Sequence, residues 1–139
     1  MTHQAYVSPG GKAWMKTCHP QPDVLADIYV DLIFHINHIQ VEGPAYGATA
    51  GEPIKKLRGF ENLWETRVRH RAGQTRQFFR FVTIAGERAA IFVDGAAKKG
   101  RSLSRHVLEA ADARLDAYQV ELERQPASRE RDRIPIDRL

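Results

Sequence analysis

Between positions 67 and 81 the chain reads RVRHRAGQTRQFFRF, which sets five arginines and one histidine among three phenylalanines. A guanidinium group offers phosphate a planar fork of donors, so arginines gathered on one surface suit a polyanion. Whether they gather depends on the strands that carry them. Side chains alternate along a strand, which places Glu65, Arg67, Arg69 and Arg71 on one side and Trp64, Thr66, Val68 and His70 on the other. A two-residue turn at Ala72-Gly73 then predicts Arg69 opposite Arg76, Arg67 opposite Phe78 and Glu65 opposite Arg80. Arg67, Arg69, Arg76 and Arg80 meet on one face, with Trp64, Val68, Phe79 and Phe81 on the reverse. Like charges directly opposed cost roughly 0.2–1 kcal/mol per pair, a conflict that a bound anion would relieve. The competing reading is a solvated face whose arginines pair with Glu61, Glu65 and Asp94, and a three-residue loop would scatter them over both faces.

Other side chains extend or compete with this chemistry. Lys55 and Lys56 precede the arginine-rich strand, while Lys98, Lys99 and Arg101 follow the sheet, so both sets are expected on the rim of the basic face. His70 and His106 are candidate proton-transfer groups near neutral pH: His70, near a hairpin tip and on the parity opposite the arginines, reads as a surface residue, while His106 lies at the start of a helix bordering that rim and competes with a structural or surface role. Cys18, His19, His35 and His38 include zinc-ligand types, but no second CxxC or HxxxH completes a set, and no metal site is assigned. Ser102, Ser104 and His106 lack the base and orienting acid that a serine nucleophile needs. Phosphate-binding loops, dinucleotide glycine fingerprints and nucleophile elbows are absent from the sequence, and no cofactor is expected.

The positioning elements follow from periodicity. PDVLADIYVDLIFHINHI puts Leu25, Ile28, Leu32, Ile36 and Ile39 on one helical face, opened by Pro22 and the acids Asp23 and Asp27, and closed by Gly43-Pro44. Asp23, Asp27 and Asp31 on its other side make it a core helix rather than a membrane span. Residues 54 to 95 contain three runs of strand formers parted by RAGQ and AGER, an antiparallel meander. A turn at Gly86-Glu87 would set Val82 opposite Ile91 and Phe81 opposite Phe92. The aromatic face is expected to pack on the helix of residues 23 to 39, leaving the arginine face open and concave. A second helix carries Leu103, Val107, Ala111, Leu115, Tyr118 and Leu122, capped by Ser102 or Ser104. KAWMKTC is read as a short edge strand. The domain then spans residues 13 to 122, with a loose arm at 1–12 and a mobile charged tail at 123–139.

The 139 residues suit one core, with 42% apolar content, and a net charge of +4 from 21 basic and 17 acidic residues favours a polyanionic partner. Arginine far outnumbers lysine, and a single cysteine fits a reducing compartment. With no secretory layout at the start and no apolar run of about 18 or more residues, a cytoplasmic protein is expected.

The order P-x-KKL-x-G, LWETRVR, G-x-TRQFFRF, IFV and KKGRSLSRHVLEAADARL resembles the RelE/ParE superfamily of type II toxins, in particular its HigB-like, phage-derived branch, over roughly residues 53 to 117. The resemblance implies an α+β fold: a small twisted antiparallel sheet with N-terminal helices on one face, a basic cleft and a C-terminal helix. It further implies a metal-independent messenger-RNA endonuclease acting on the ribosome and silenced by a cognate antitoxin, the alternative being a gyrase-targeting or other binding module. Catalytic roles carry over to Arg67, Arg76, Lys98 and Lys99, with His106 as a reserve proton carrier; Arg69, Arg80, Arg101, Lys55 and Lys56 would bind RNA. The chain departs from the branch at Thr75, Ala96 and Ser104, where tyrosine, phenylalanine and proline are usual, and in its longer tail.

Overall fold

The computed structural model describes residues 4–22, 28, 32, 34, 54–70, 73–97 and 103–134, with backbone alone for 68–70, 73, 74 and 97. The architecture is α+β. Five strands, β1 (Gln4–Val7), β2 (Ile54–Lys56), β3 (Trp64–His70), β4 (Gly73–Ile84) and β5 (Glu87–Ala97), form one sheet in the order β1-β5-β4-β3-β2. The expected meander is present from β2 to β5, but the sheet is mixed rather than purely antiparallel, because β1 adds to the β5 edge in parallel. Helices α1 (Pro9–Cys18), α2 (Arg105–Arg124) and α3 (Pro126–Asp132) complete the described elements.

Both long hairpins form one residue earlier than expected. His70 pairs with Gly73 across residues 71 and 72, and Ile84 pairs with Glu87 around Ala85-Gly86. Ala85 and Gly86 have φ of 51° and 81°, the left-handed pair that a tight two-residue hairpin requires. Moving a turn by one residue shifts the pairing by two, so the faces survive: Arg67, not Arg69, lies opposite Arg76, Glu65 lies opposite Phe78, and Phe81 and Val82 lie opposite Ala90 and Ala89. The β4–β5 pairing slips between Gln77 and Phe79, where Val93 and Asp94 bulge on β5. Gly95 follows, and a Cβ there would lie 1.7 Å from the Arg76 carbonyl oxygen, so only glycine fits.

The two faces bury separate cores. Trp64, Phe79 and Phe92 form the reverse core with Ala5, Val7 and Ile54; ring centroids lie 6.1 Å apart for Trp64–Phe79 and 5.0 Å apart for Phe79–Phe92. Ile28 and Leu32, both helical, pack on this core as expected of the 23–39 helix, whose residues Leu25, Ile36 and Ile39 lie outside the described set. The opposite face is not open. Ala111, Leu115, Tyr118 and Leu122 of α2 cover Phe78, Ile84, Ile91 and Val93, so the stripe read from the sequence closes most of the arginine side.

The termini also differ from expectation. Residues 4 to 7 are a strand with Ala5, Tyr6 and Val7 buried, not a loose arm. KAWMKTC is the body of α1 rather than an edge strand: Ser8 Oγ accepts the Gly11 amide at 3.0 Å and Pro9 opens the helix where its missing N–H costs nothing. A Cβ on Gly11 would stand 3.0 Å from the Val93 carbonyl carbon, so the helix lies close against β5. The tail folds back. Arg133 bridges Tyr6, the Ile134 amide donates to Ala5 O at 2.9 Å, and fully buried Asp132 accepts Tyr118 Oη at 2.9 Å and Arg131 Nε at 2.8 Å. Burial alone would raise the Asp132 pKa, but hydrogen bonds from Arg131 and Tyr118 and the nearby Lys12 charge outweigh it and hold the carboxyl below its ordinary value.

Two outcomes follow from these contacts. Ala85→Asn should raise the unfolding free energy by about 1 kcal/mol in urea titration, because asparagine tolerates the left-handed conformation better. Asp132, with its folded pKa depressed, contributes fully above the unfolded value of about 3.9 and loses that contribution as pH falls through the lower folded value. Urea midpoints of the wild type should therefore decline below about pH 4, and Asp132→Asn should start lower at neutral pH and decline less.

Candidate nucleic-acid interface

Strand pairing builds the site row by row. Lys55, Glu65 and Phe78 stand side by side across β2, β3 and β4, and Arg67, Arg76 and Ala96 form the next row across β3, β4 and β5. Glu65 thus has three cations for neighbours on its face. Two are in contact: Arg67 Nε donates to Glu65 Oε1 at 3.3 Å and Arg76 Nη1 donates to Oε2 at 3.2 Å. The carboxylate is buried and so is Arg76, whereas the Arg67 side chain keeps 24% of its surface exposed. The opposed guanidiniums are relieved in part by a carboxylate of the chain itself, which leaves two arginines and Lys55 around one negative charge.

Arg80, expected to bind RNA, is turned inward. Its guanidinium donates to Asp116 Oδ1 at 2.6 Å, Asp112 Oδ1 at 2.7 Å and Gln119 Oε1 at 3.1 Å, all on α2. The acids stand four residues apart beside the apolar stripe, so the helix that covers the face brings the counter-charges that the buried cation needs. That spacing of acids beside the apolar stripe is the sequence signal for an inward-turned Arg80 and a covered face. A cleft of about 540 Å³ runs past this cluster, with Glu61 and Asn62 on its far wall. Asp94, another expected partner of the strand arginines, instead accepts Arg114 Nε at 2.7 Å.

The remaining predicted residues divide. Lys55 and Lys56 are exposed but lie on opposite faces of β2, Lys55 beside Glu65 and Lys56 beside Trp64. His106 is exposed in the first turn of α2, after Ser104, whose Oγ accepts the Val107 amide at 3.3 Å. Arg69 pairs through its backbone with Gln74, and its side chain is outside the description. Lys98, Lys99 and Arg101 lie outside the described residues, as do His35 and His38. His19 is buried, with Nε2 3.4 Å from Thr75 Oγ1. Among the described residues no helix is long and apolar enough to cross a membrane.

Arg105 was not singled out in the sequence. Its guanidinium lies over the Phe60 ring, 5.2 Å from the centroid, while Nε donates to Glu109 Oε1 at 2.9 Å. Aromatic and guanidinium meet because the β2–β3 connection, residues 57 to 63, folds against the start of α2, with Leu57, Phe60, Leu103 and Leu108 packed on the same core.

Comparison of the chain with protein-family models finds no match, and comparison with curated proteins finds none.

The pairing around Glu65 makes a sharp stability prediction. Glu65→Gln removes the charge that neutralises a buried arginine and should cost about 3 kcal/mol, whereas Arg67→Ala, at a partly exposed position, should cost less than about 1 kcal/mol. Guanidinium denaturation of both variants reads the contrast.

Proposed function

We propose that this protein is the toxin of a type II toxin-antitoxin system, of RelE/ParE kind, that cuts messenger RNA on the ribosome in the cytoplasm and is silenced by a cognate antitoxin. The observation that carries the reading is the direct opposition of Arg67 and Arg76 on one sheet face, two guanidiniums sharing one carboxylate, with Arg67 partly exposed. A residual positive charge held in a low-dielectric setting is matched by the single negative charge of a phosphodiester. The α+β arrangement, with an antiparallel meander between an N-terminal helix and a C-terminal one, agrees with the fold class the resemblance implies, although β1 makes the sheet mixed.

The chemistry is attack of a 2′-hydroxyl on the adjacent phosphorus without a metal. The P–O bond to the 5′-oxygen breaks, a cyclic phosphate forms, the hydroxyl proton passes to a base, and an acid protonates the leaving oxygen. Arg67 meets the charge that develops on the phosphorane, and Arg76 holds Glu65 and so keeps that arrangement fixed. Lys98 or Lys99 positions the strand or supplies the acid, with His106 in reserve.

A second reading is a non-cleaving toxin or binding module, such as a gyrase-targeting relative. The closure of Arg76 on Glu65 and of Arg80 on Asp112 and Asp116 favours it, since those arginines are already neutralised. Induced expression separates the two. Under the nuclease reading the wild type arrests growth and leaves cut transcripts, and Arg67→Ala lowers cleavage by about 100-fold or more. DNA damage with intact transcripts decides for the second reading. Equal cleavage by a folded Arg67→Ala variant removes the arginine pair from the mechanism.

A further inference from the structure

Arg105 is poorly placed for stability. It occupies the first turn of α2 beside His106, with no acidic residue in that turn, and a cation there opposes the partial positive charge of the helix end. The side chain is 67% exposed, and its partner Glu109 is 52% exposed, so the ion pair contributes little to folding. The geometry is nevertheless ordered. Phe60 is half-buried against the α2 core, which fixes the ring, and the guanidinium lies over it. Gly59 has a φ of 84°, and a Cβ there would stand 3.1 Å from Arg105 Nη1, so the glycine leaves room for the guanidinium beside the turn. Glu109 holds the Nε edge. The result is a cation backed by an aromatic ring on one side and exposed on the surface, with exposed His106 next to Arg105 in sequence and exposed Arg58 two residues before Phe60.

We infer that Arg105, backed by Phe60, is a platform on which an unpaired RNA base stacks. This rests on the RNA-binding reading of the arginine pair and extends it to a second point of contact. A guanidinium held over an aromatic ring offers its outer side to the π-surface of any base, while its charge attracts the neighbouring phosphate. The contact tolerates different bases and selects single strands, since a base inside a duplex has no free face to offer. Lys55, exposed on the Glu65 face of β2, lies in the strand that leads into the turn carrying Phe60, so Lys55 and Arg58 are the phosphate contacts between the two points.

Fluorescence anisotropy with a short single-stranded RNA, and with an abasic strand of equal length, tests this across a salt series. Wild type, Arg105→Ala, Arg105→Lys and Phe60→Leu are compared, with thermal melts to establish folding. Arg105→Ala should weaken RNA binding about tenfold and abasic-strand binding by far less. Arg105→Lys, which keeps the charge but not the plane, should regain the abasic affinity and salt slope without regaining the affinity for RNA. Full recovery by Arg105→Lys would show that only charge matters and overturn the platform, as would RNA affinity unchanged in Arg105→Ala. If those variants bind like wild type while Arg67→Ala loses cleavage, the platform falls and the nuclease reading stands. A wild type that binds neither strand overturns both.

Discussion

A charge can be buried only where a counter-charge meets it, and this rule organises the sheet face that carries the arginines. β4 holds Arg76 and Arg80, both nearly inaccessible, and each has drawn a carboxylate from a neighbouring element: Glu65 from β3, and Asp112 and Asp116 from α2. The second pairing ties the orientation of α2 to the sheet, because the helix must present its apolar stripe and its two acids together. The first leaves Arg67 in contact with Glu65 and partly exposed. Any anion arriving at this face therefore meets a site already partly compensated from within, with Glu65 fixing the two guanidiniums before a ligand is present.

The faces of the sheet were legible because parity is robust. Each hairpin turn was read one residue late, yet the pairing moved by two, so Arg67 still faces away from Trp64 and Phe79 still joins the aromatic side. The α2 stripe was plain in its later turns, with Ala111, Leu115, Tyr118 and Leu122 buried as the spacing indicated, while Val107 of the same stripe is exposed because the first turn projects beyond the sheet core. What the stripe covers was not, because helical periodicity gives the apolar side of a helix and not its partner. Ser8-Pro9-Gly10-Gly11 reads as a loop by composition, although serine and proline equally open a helix and Gly11 is explained only by the nearness of β5. β1 has four residues and its partner lies more than eighty positions away, beyond the reach of any local pattern. The tail looked solvated because its charges were counted without their partners, Lys12 and Tyr118.

The candidate site was legible in part for the same reason. Arg67 and Arg76 were chosen on residue type and parity, and they do meet. Arg80 shares their face but not their situation, since three residues of α2 enclose it. Arg105 gave no signal in the sequence; its significance arises from Phe60, which a separate connection brings beneath it.

The parallel pairing of β1 with β5, sealed at its outer edge by Arg133 and Ile134, has a consequence for synthesis. Among the described strands β1 leaves the ribosome before the others and is among the last to find its place, for its partner β5 is made after β2 to β4 and its cover at residues 133 and 134 later still. Antiparallel neighbours close over short separations and so form first, leaving the opening segment to dock on a sheet that already exists. Completion of this edge is therefore coupled to the arrival of residues 133 and 134, and a chain halted before residue 133 would present Tyr6 and its neighbours as a bare hydrogen-bonding edge.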